Sequence, residues 1–185
     1  EYYVNDAGRQ MDILAVSTLV RALQLGGDDV PLPEAGYRGE YIQDIAQEWL
    51  RANDAPAISV EQLLDGAPDD GDDERKERYI DALIHNAERH LDQTFKALRA
   101  FSKDAILDDI RDDLAGFGVT PDEFFSEASL TTDGALETAI DVLKQRDVVY
   151  DKDGALWFRA TDFDDEKDRV VVRDNGKSTY FASDI

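Results

Sequence analysis

Apolar residues recur every three or four positions through most of this chain, and this spacing predicts a largely helical protein. Because an α-helix turns once in 3.6 residues, such residues share one face that a core must cover. Shorter runs predict helices from Arg9 to Gly26, over 42–50, over 59–64, from 106 onward and over 134–144, and the segment 120–123 predicts another helix start. The longest uninterrupted stripe contains Tyr79, Ile80, Leu83, Ile84, Ala87, Leu91, Phe95 and Leu98.

The spacing changes near both ends of the chain. Residues 2–4 are aromatic and β-branched and predict a short strand, and Asn5 or Asp6 is a candidate cap for the helix that follows. Residues 148–150 and 155–158 flank an Asp-Gly pair, which favours a tight hairpin. Two more strands are predicted at 169–173 and 179–181. The local pattern therefore predicts helices first and a small antiparallel sheet last.

The charge balance restricts the partners of this segment. Asp and Glu number 42 against 20 Lys and Arg, a net charge of −22. An acidic surface repels phosphate, so the segment is not expected to be a main nucleic-acid-binding surface. The sequence has no Cys, which excludes disulfides and thiolate metal sites. No apolar run is long enough to span a bilayer, so we expect a cytoplasmic protein with no membrane partner.

Two groups of residues suggest metal sites, and for both we favour the simpler interpretation. His85 and His90 are five residues apart on one predicted helix and do not share a face, so we predict no zinc site. The acidic run 162–168 lacks the spacing of an EF-hand and is read as a solvated loop, not a calcium site. No generic nucleotide-binding or nucleophile motif is present. Residue chemistry alone therefore reaches no reaction.

Several longer words point further, because together they resemble one family. Residues 1–12 read EYYVNDAGRQMD and resemble the segment after the HIGH signature of bacterial arginyl-tRNA synthetases; 36–42 read GYRGEYI and resemble another word of that family. The stretch FFSEASL at 124–130, and the run from DGALWFR at 153–159 to TYFASDI at 179–185, are similar to two more. The matches are collinear and cover nearly the whole chain. Asp164 departs from the pattern, since the family usually has glycine there.

The resemblance implies a fold and an activity. The fold is α/β: a fragment of a class I, Rossmann-like nucleotide-binding domain, with core at 1–30, a helical insertion at 31–147 and an antiparallel β ribbon at 148–185. The parent enzyme would ligate L-arginine to tRNA(Arg) through arginyl-adenylate, with ATP and Mg²⁺, as a monomer. The HIGH and KMSKS motifs lie outside these residues, so the fragment is expected to contain no catalytic residue, to bind no cofactor and to be inactive alone. The alternative is a non-catalytic, synthetase-derived interaction module.

The resemblance also implies an arginine site. Tyr180 and Asp184 fall on positions that hold the substrate's side chain, and a planar guanidinium suits both an aromatic face and a carboxylate. Asn5, Asp6 and Gln10 match the segment that faces the same pocket, where a carboxylate could meet the α-ammonium group. Simpler readings remain open, since Asp184 could cap a helix, and Asn5 and Asp6 could serve only a turn and a cap.

Overall fold

The computed structural model describes residues 1–176 and 178–183, in two compact units. One unit comprises Glu1–Asn5 together with the chain from Pro121 onward, and the other is Asp6–Thr120. The strands are β1 (Tyr2–Val4), β2 (Phe124–Ser126), β3 (Val149–Lys152), β4 (Ala155–Phe158) and β5 (Arg169–Val172). The helices are α1 (Arg9–Leu25), α2 (Glu40–Ala52), α3 (Val60–Leu63), α4 (Asp73–Leu91), α5 (Gln93–Gly116), α6 (Glu127–Thr132), α7 (Ala135–Gln145) and α8 (Tyr180–Ser183).

These units divide the chain at other points than the predicted boundaries. The assignment of 1–30, 31–147 and 148–185 to core, insertion and ribbon stays a prediction, because it concerns how this segment fits into a larger enzyme. Within the described residues the protein combines helices with a small antiparallel sheet, as the spacing predicts. The predicted helices over 9–26, 42–50, 59–64 and 134–144 are confirmed.

Helix α1 forms the centre of the Asp6–Thr120 unit. It packs against α2, α4 and α5, and most of its residues are buried all round the helix. Such a helix is covered by neighbours on several sides. The surrounding core includes Leu19 of α1, Leu83 of α4 and Phe95 of α5. Two fully buried hydroxyls, those of Thr18 and Ser102, hydrogen bond at 3.1 Å across the α1–α5 contact.

The long apolar stripe is not one helix, contrary to the prediction. The chain breaks at Asp92, whose φ is 37°, so α4 ends at Leu91 and α5 begins at Gln93. The Asp92 carboxylate accepts a hydrogen bond from Lys96 Nζ at 3.0 Å. Positive φ interrupts helical geometry while the apolar spacing continues almost unchanged across it. The stripe therefore predicted the buried face correctly and the break not at all.

The start of α1 also differs from the prediction. Neither Asn5 nor Asp6 is the N-cap; that position is Gly8, and no side chain caps the helix. In contrast, α3 begins with a capping box formed by Ser59 and Gln62. A side-chain cap requires extended backbone at the capping residue, whereas Gly8 has φ 82° and ψ −169°. This open turn is important for the site described below.

The other unit contains both sheets. Strands β1 and β2 run parallel, with Tyr2 opposite Phe124 and Tyr3 opposite Phe125, and the ring centroids of these pairs are 5.2 and 5.8 Å apart. The helix predicted to start at 120–123 is therefore wrong, because the aromatic residues after it pair with β1. The next helix, α6, begins at Glu127.

The three-stranded antiparallel sheet has the order β3–β4–β5. Its hairpin turn has Asp153 at φ 53° and Gly154 at φ 79°, which confirms the Asp-Gly prediction. The strand predicted at 179–181 is wrong. Ser178 makes only an isolated bridge to Val172, and the chain then enters α8, where Ala182 N donates to Thr179 O at 3.0 Å.

Asp164 occupies a backbone position that favours glycine, with φ 68° and ψ 17° after a 3₁₀ turn at Ala160–Phe163. We expect Asp164→Gly to raise the free energy of unfolding by about 0.5–1 kcal/mol, because left-handed geometry strains residues with a Cβ. Urea unfolding measures this. The matched control is Asp162→Gly within the 3₁₀ turn, which is expected to lower stability. Equal losses in both variants would contradict the prediction.

Candidate functional site

The turn into α1 contains three of the residues predicted to bind substrate. Asn5 is exposed and directly follows β1. Asp6 is only 5% exposed, and its Oδ2 lies 3.7 Å from Lys103 Nζ on α5. Gln10, in the first turn of α1, is exposed to solvent. The structure therefore places a nearly buried carboxylate and an accessible amide at the same end of one helix.

Gly8 gives this turn its shape. Few residues other than glycine adopt its φ of 82° with ψ of −169°, and no atom lies within 4 Å of where its Cβ would be. The glycine is therefore required by the backbone and not by close packing. Its carbonyl oxygen accepts from Met11 N at 3.2 Å and from Arg99 Nη2 at 3.3 Å.

We expect Gly8→Ala to lower the free energy of unfolding by about 1–2 kcal/mol, because the methyl group fits the space but strains the backbone. Thermal and urea unfolding measure the loss. Gly116→Ala is the matched control: its Cβ would also be in open space, but Gly116 is not among the positive-φ residues and ends a helix. If both variants lose the same stability, backbone strain at Gly8 is not the cause.

The structure brings together two of the sequence words. Tyr37, from GYRGEYI, donates its hydroxyl to Gln10 Oε1 at 3.2 Å, and its backbone N–H donates to Ser17 Oγ at 3.0 Å. A Cβ on Gly36 would lie 2.9 Å from both Ser17 Oγ and Pro33 Cγ, so glycine permits this approach. Sequence reasoning missed the contact. The signal available was that both words belong to the same family pattern.

Tyr41 adds a second phenol from the same word. The residue is 44% exposed, and the partial burial of its hydroxyl, followed by the neighbouring Tyr37, raises the pKa of that hydroxyl. Tyr37 and Gln10 thus bring a hydroxyl and an amide together, with the Tyr41 phenol close to Tyr37.

A cleft of about 400 Å³ lies beside the start of α1, lined by Asp12, Glu88, Asp92, Phe95, Lys96 and Arg99. Arg99 Nε lies 2.8 Å from Asp12 Oδ1. Burial raises the pKa of the Asp12 carboxyl, and the attraction of Arg99 opposes this shift. Arg9, the first residue of α1, forms ion pairs with α4: its Nη2 lies 2.7 Å from Glu77 and its Nε 2.8 Å from Asp81.

The second half of the predicted arginine site is only partly described. Tyr180 is the first residue of α8, but its side chain lies outside the part of the chain that the structure describes, and so does the whole of Asp184. Their roles in holding a guanidinium stay predictions, as do those of Asn5, Asp6 and Gln10.

The acidic run at 162–168 uses part of its charge to hold the β ribbon. Asp168 accepts from Tyr150 Oη at 2.7 Å and from Thr161 Oγ1 at 2.8 Å, and these hydrogen bonds, with the Thr161 N–H, lower its pKa. Asp165 forms a two-point ion pair with Arg169, both contacts at 2.8 Å. Within 1–176 and 178–183, no three His, Cys, Asp or Glu residues gather as a metal site would require.

A helix that crosses a bilayer needs about 20 predominantly apolar residues. In the described part of the chain, none of the helices is long and apolar enough to cross a bilayer.

The chain is similar to arginine–tRNA ligases of known sequence and to one solved structure. No protein-family model matches the chain. It is 54% identical over 188 residues to the arginine–tRNA ligase of Thioalkalivibrio sulfidiphilus and 46% identical over 203 residues to that of Acinetobacter baylyi. These alignments cover all of this chain but only 32% and 33% of the relatives. A crystal structure of an arginyl-tRNA synthetase from Campylobacter jejuni matches 99% of the chain and 33% of its own length, with TM-score 0.71 and 28% identity.

Proposed function

This chain is homologous along its whole length to the arginyl-tRNA synthetases, about a third of whose length it spans, and from this we propose that it functions as part of such an enzyme. The activity is the ATP-dependent ligation of L-arginine to tRNA(Arg) through arginyl-adenylate. The observation that carries the proposal is 54% identity over an alignment that covers the whole chain. The words at the start of α1 and in the loop before α2 also touch each other through Gln10 and Tyr37.

The proposal assigns this segment to a class I, Rossmann-like catalytic domain. The parallel pairing of β1 with β2 supports this assignment, since parallel strands occur almost only in sheets whose faces are covered by helices. The small antiparallel sheet of β3, β4 and β5 corresponds to the predicted ribbon.

The substrate contacts are proposed on the same basis. Asp184 meets the guanidinium of arginine with both carboxylate oxygens, and the ring of Tyr180 covers its face. Asp6 meets the α-ammonium group, and Asn5 and Gln10 add hydrogen bonds. The support from geometry is strongest for Gln10, whose side chain is exposed and hydrogen bonds to Tyr37.

ATP and Mg²⁺ are assigned to residues outside this chain. The start of α1 does not fit phosphates, because Asp6 lies beside it and Asp12 is in its first turn, where negative charge would repel an anion. The net charge of −22 likewise makes this segment a poor main surface for tRNA. We therefore propose that the chain contributes amino-acid binding, within a monomeric cytoplasmic enzyme.

Arginine-dependent exchange of pyrophosphate into ATP, measured with tRNA(Arg) present, tests the proposal. Two polypeptides are compared: the 185 residues alone, and the full natural product of the gene that encodes them. We expect exchange with the full product and none with the 185 residues. A full product without exchange would overturn the proposal and favour the non-catalytic, synthetase-derived module, and exchange by the 185 residues alone would overturn the assignment of ATP to other residues.

A further inference from the structure

Two basic side chains of α5 contact the turn that leads into α1. Arg99 and Lys103 are one helical turn apart and so lie on the same side of α5. Neither belongs to the sequence words shared with the synthetases. They contact Asp6, which is itself a proposed substrate contact, and Gly8 and Asp12, which are each two positions from Gln10.

Arg99 contacts both the turn before α1, at Gly8, and the first turn of the helix, at Asp12. Its Nε lies 2.8 Å from Asp12 Oδ1, and its Nη2 donates to the carbonyl oxygen of Gly8 at 3.3 Å. The side chains of Arg99 and Asp12 are only 35% and 26% exposed, so this ion pair is less screened than a pair in open solvent. The guanidinium therefore contacts the Gly8 carbonyl by a hydrogen bond and the Asp12 carboxylate by an ion pair, so one side chain joins the turn to the start of α1.

Lys103 compensates the charge of Asp6. A carboxylate that is 5% exposed needs a counter-charge or hydrogen bonds, and Lys103 Nζ stands 3.7 Å from its Oδ2. At that distance the ammonium group orients the carboxylate without a direct hydrogen bond. Lys103 Nζ also lies 3.1 Å from Oδ1 of the exposed Asp104, so its ammonium group stays near the surface.

The helix that presents these two residues is well anchored. Leu98 and Ser102, the neighbours of Arg99 and Lys103 in sequence, are 1% and 0% exposed. The hydrogen bond between Ser102 and Thr18 fixes α5 against α1. Gly8 offers the turn no side-chain cap, and the contacts from α5 add to the local hydrogen bond from Met11 N to Gly8 O.

We propose that Arg99 and Lys103 are positioning residues for substrate binding: they hold the turn at Asp6–Gly8 so that Asp6 and Gln10 are preorganised for the amino-acid substrate. The inference rests on the proposed function, because it assigns the substrate to this turn. Neither residue touches the substrate. Their effect is on where the binding groups stand, and therefore on the affinity for arginine.

Two measurements test the proposal. Both use the variants Arg99→Met and Lys103→Met and the control Lys96→Met. The conservative variants Arg99→Lys and Lys103→Arg keep the positive charge. Lys96 is on the same helix, is 67% exposed and pairs only with Asp92 in the described contacts. The first measurement is hydrogen–deuterium exchange of residues 6–13 in the 185-residue chain. We expect exchange about tenfold faster in both methionine variants of Arg99 and Lys103, and no change in the control.

The second measurement is steady-state kinetics of the full natural product. We expect the KM for arginine to rise about tenfold, with kcat and the KM for ATP within twofold, and the conservative variants to recover most of the loss.

A fall in kcat at constant KM would indicate a structural role and overturn the inference, as would unchanged exchange at residues 6–13. Faster exchange with an unchanged KM overturns the assignment of substrate to this turn. A wild-type product without activity refutes the proposed function instead. Hydrogen exchange of residues 6–13 then shows by itself whether Arg99 and Lys103 hold the turn.

Discussion

Asn86→Ala is expected to lower the free energy of unfolding by about 2–4 kcal/mol, the largest loss of stability that we predict for a polar residue. Asn86 is 4% exposed, and its Nδ2 donates to the carbonyl oxygens of Leu63 and Asp65, at 3.0 and 2.8 Å. These contacts tie α4 to the end of α3 across more than twenty residues of sequence. Removing the amide leaves two carbonyl groups without their donor and a small cavity between the helices.

Urea unfolding measures this loss, and Asn53→Ala is the matched control. Asn53 also donates to a backbone carbonyl, that of Trp49 at 3.1 Å, but it does so at the exposed end of α2. We expect it to cost about 1 kcal/mol or less. Hydrogen exchange should show that Asn86→Ala loosens 63–65 first. If the two alanine variants lose similar stability, burial of the Asn86 amide is not what makes it important.

The helices of this protein could be predicted because their cause is local. An apolar residue every third or fourth position is enough to identify α1 and α2 and the helical character of 79–98 and 106–116, whichever neighbour covers them. The prediction of a separate helix from 106 onward is wrong, because 106–116 continues α5 without a break. The hairpin of β3 and β4 is equally local, since Asp153 and Gly154 both adopt positive φ within a two-residue turn. The interruption at Asp92 was missed because it changes the backbone without disturbing the apolar spacing on either side.

The elements that were predicted wrongly depend on distant residues. Strand β2 has only three residues, and its pairing with β1 brings together Tyr2 and Phe124, which no local pattern relates. The predicted fourth strand at 179–181 failed for a related reason: a single bridge from Ser178 to Val172 ends the pairing before α8 begins. Short strands are defined by their partners more than by their own residues.

The candidate site divides in the same way. Family words made Asp6 and Gln10 candidates, which stay predictions, but they did not indicate the contacts around them: that of Arg99 with Gly8 spans 91 positions and that of Arg9 with Asp81 spans 72. In a chain with 42 acidic residues, no sequence pattern indicates which of them a given basic residue will meet. The packing of α4 and α5 against α1 selects these pairs, and only the folded protein shows them.

Asp184→Asn is expected to raise the KM for arginine by about 30- to 4000-fold in the full natural product, the largest effect on binding that we predict. The substitution keeps the size of the side chain but removes the charge and one acceptor, so the proposed two-point contact with the guanidinium is lost. Truncating one partner of a buried charge pair costs about 2–5 kcal/mol in binding, which corresponds to this range. Tyr180→Phe keeps the ring that we propose covers the guanidinium and should change the KM by no more than about threefold.

Kinetics of three variants separate this role from that of a helix cap. Asp174→Asn removes the same charge from an exposed turn after β5 and should leave the KM within about twofold, because exposed charges interact weakly. If Asp184 served only as a cap, its replacement by asparagine would change little, since Asn and Asp cap helices equally well, whereas Asp184→Ala would lower stability at constant KM. A large rise in KM for Asp184→Asn therefore requires the carboxylate charge itself, and an unchanged KM would assign Asp184 to the helix and not to arginine.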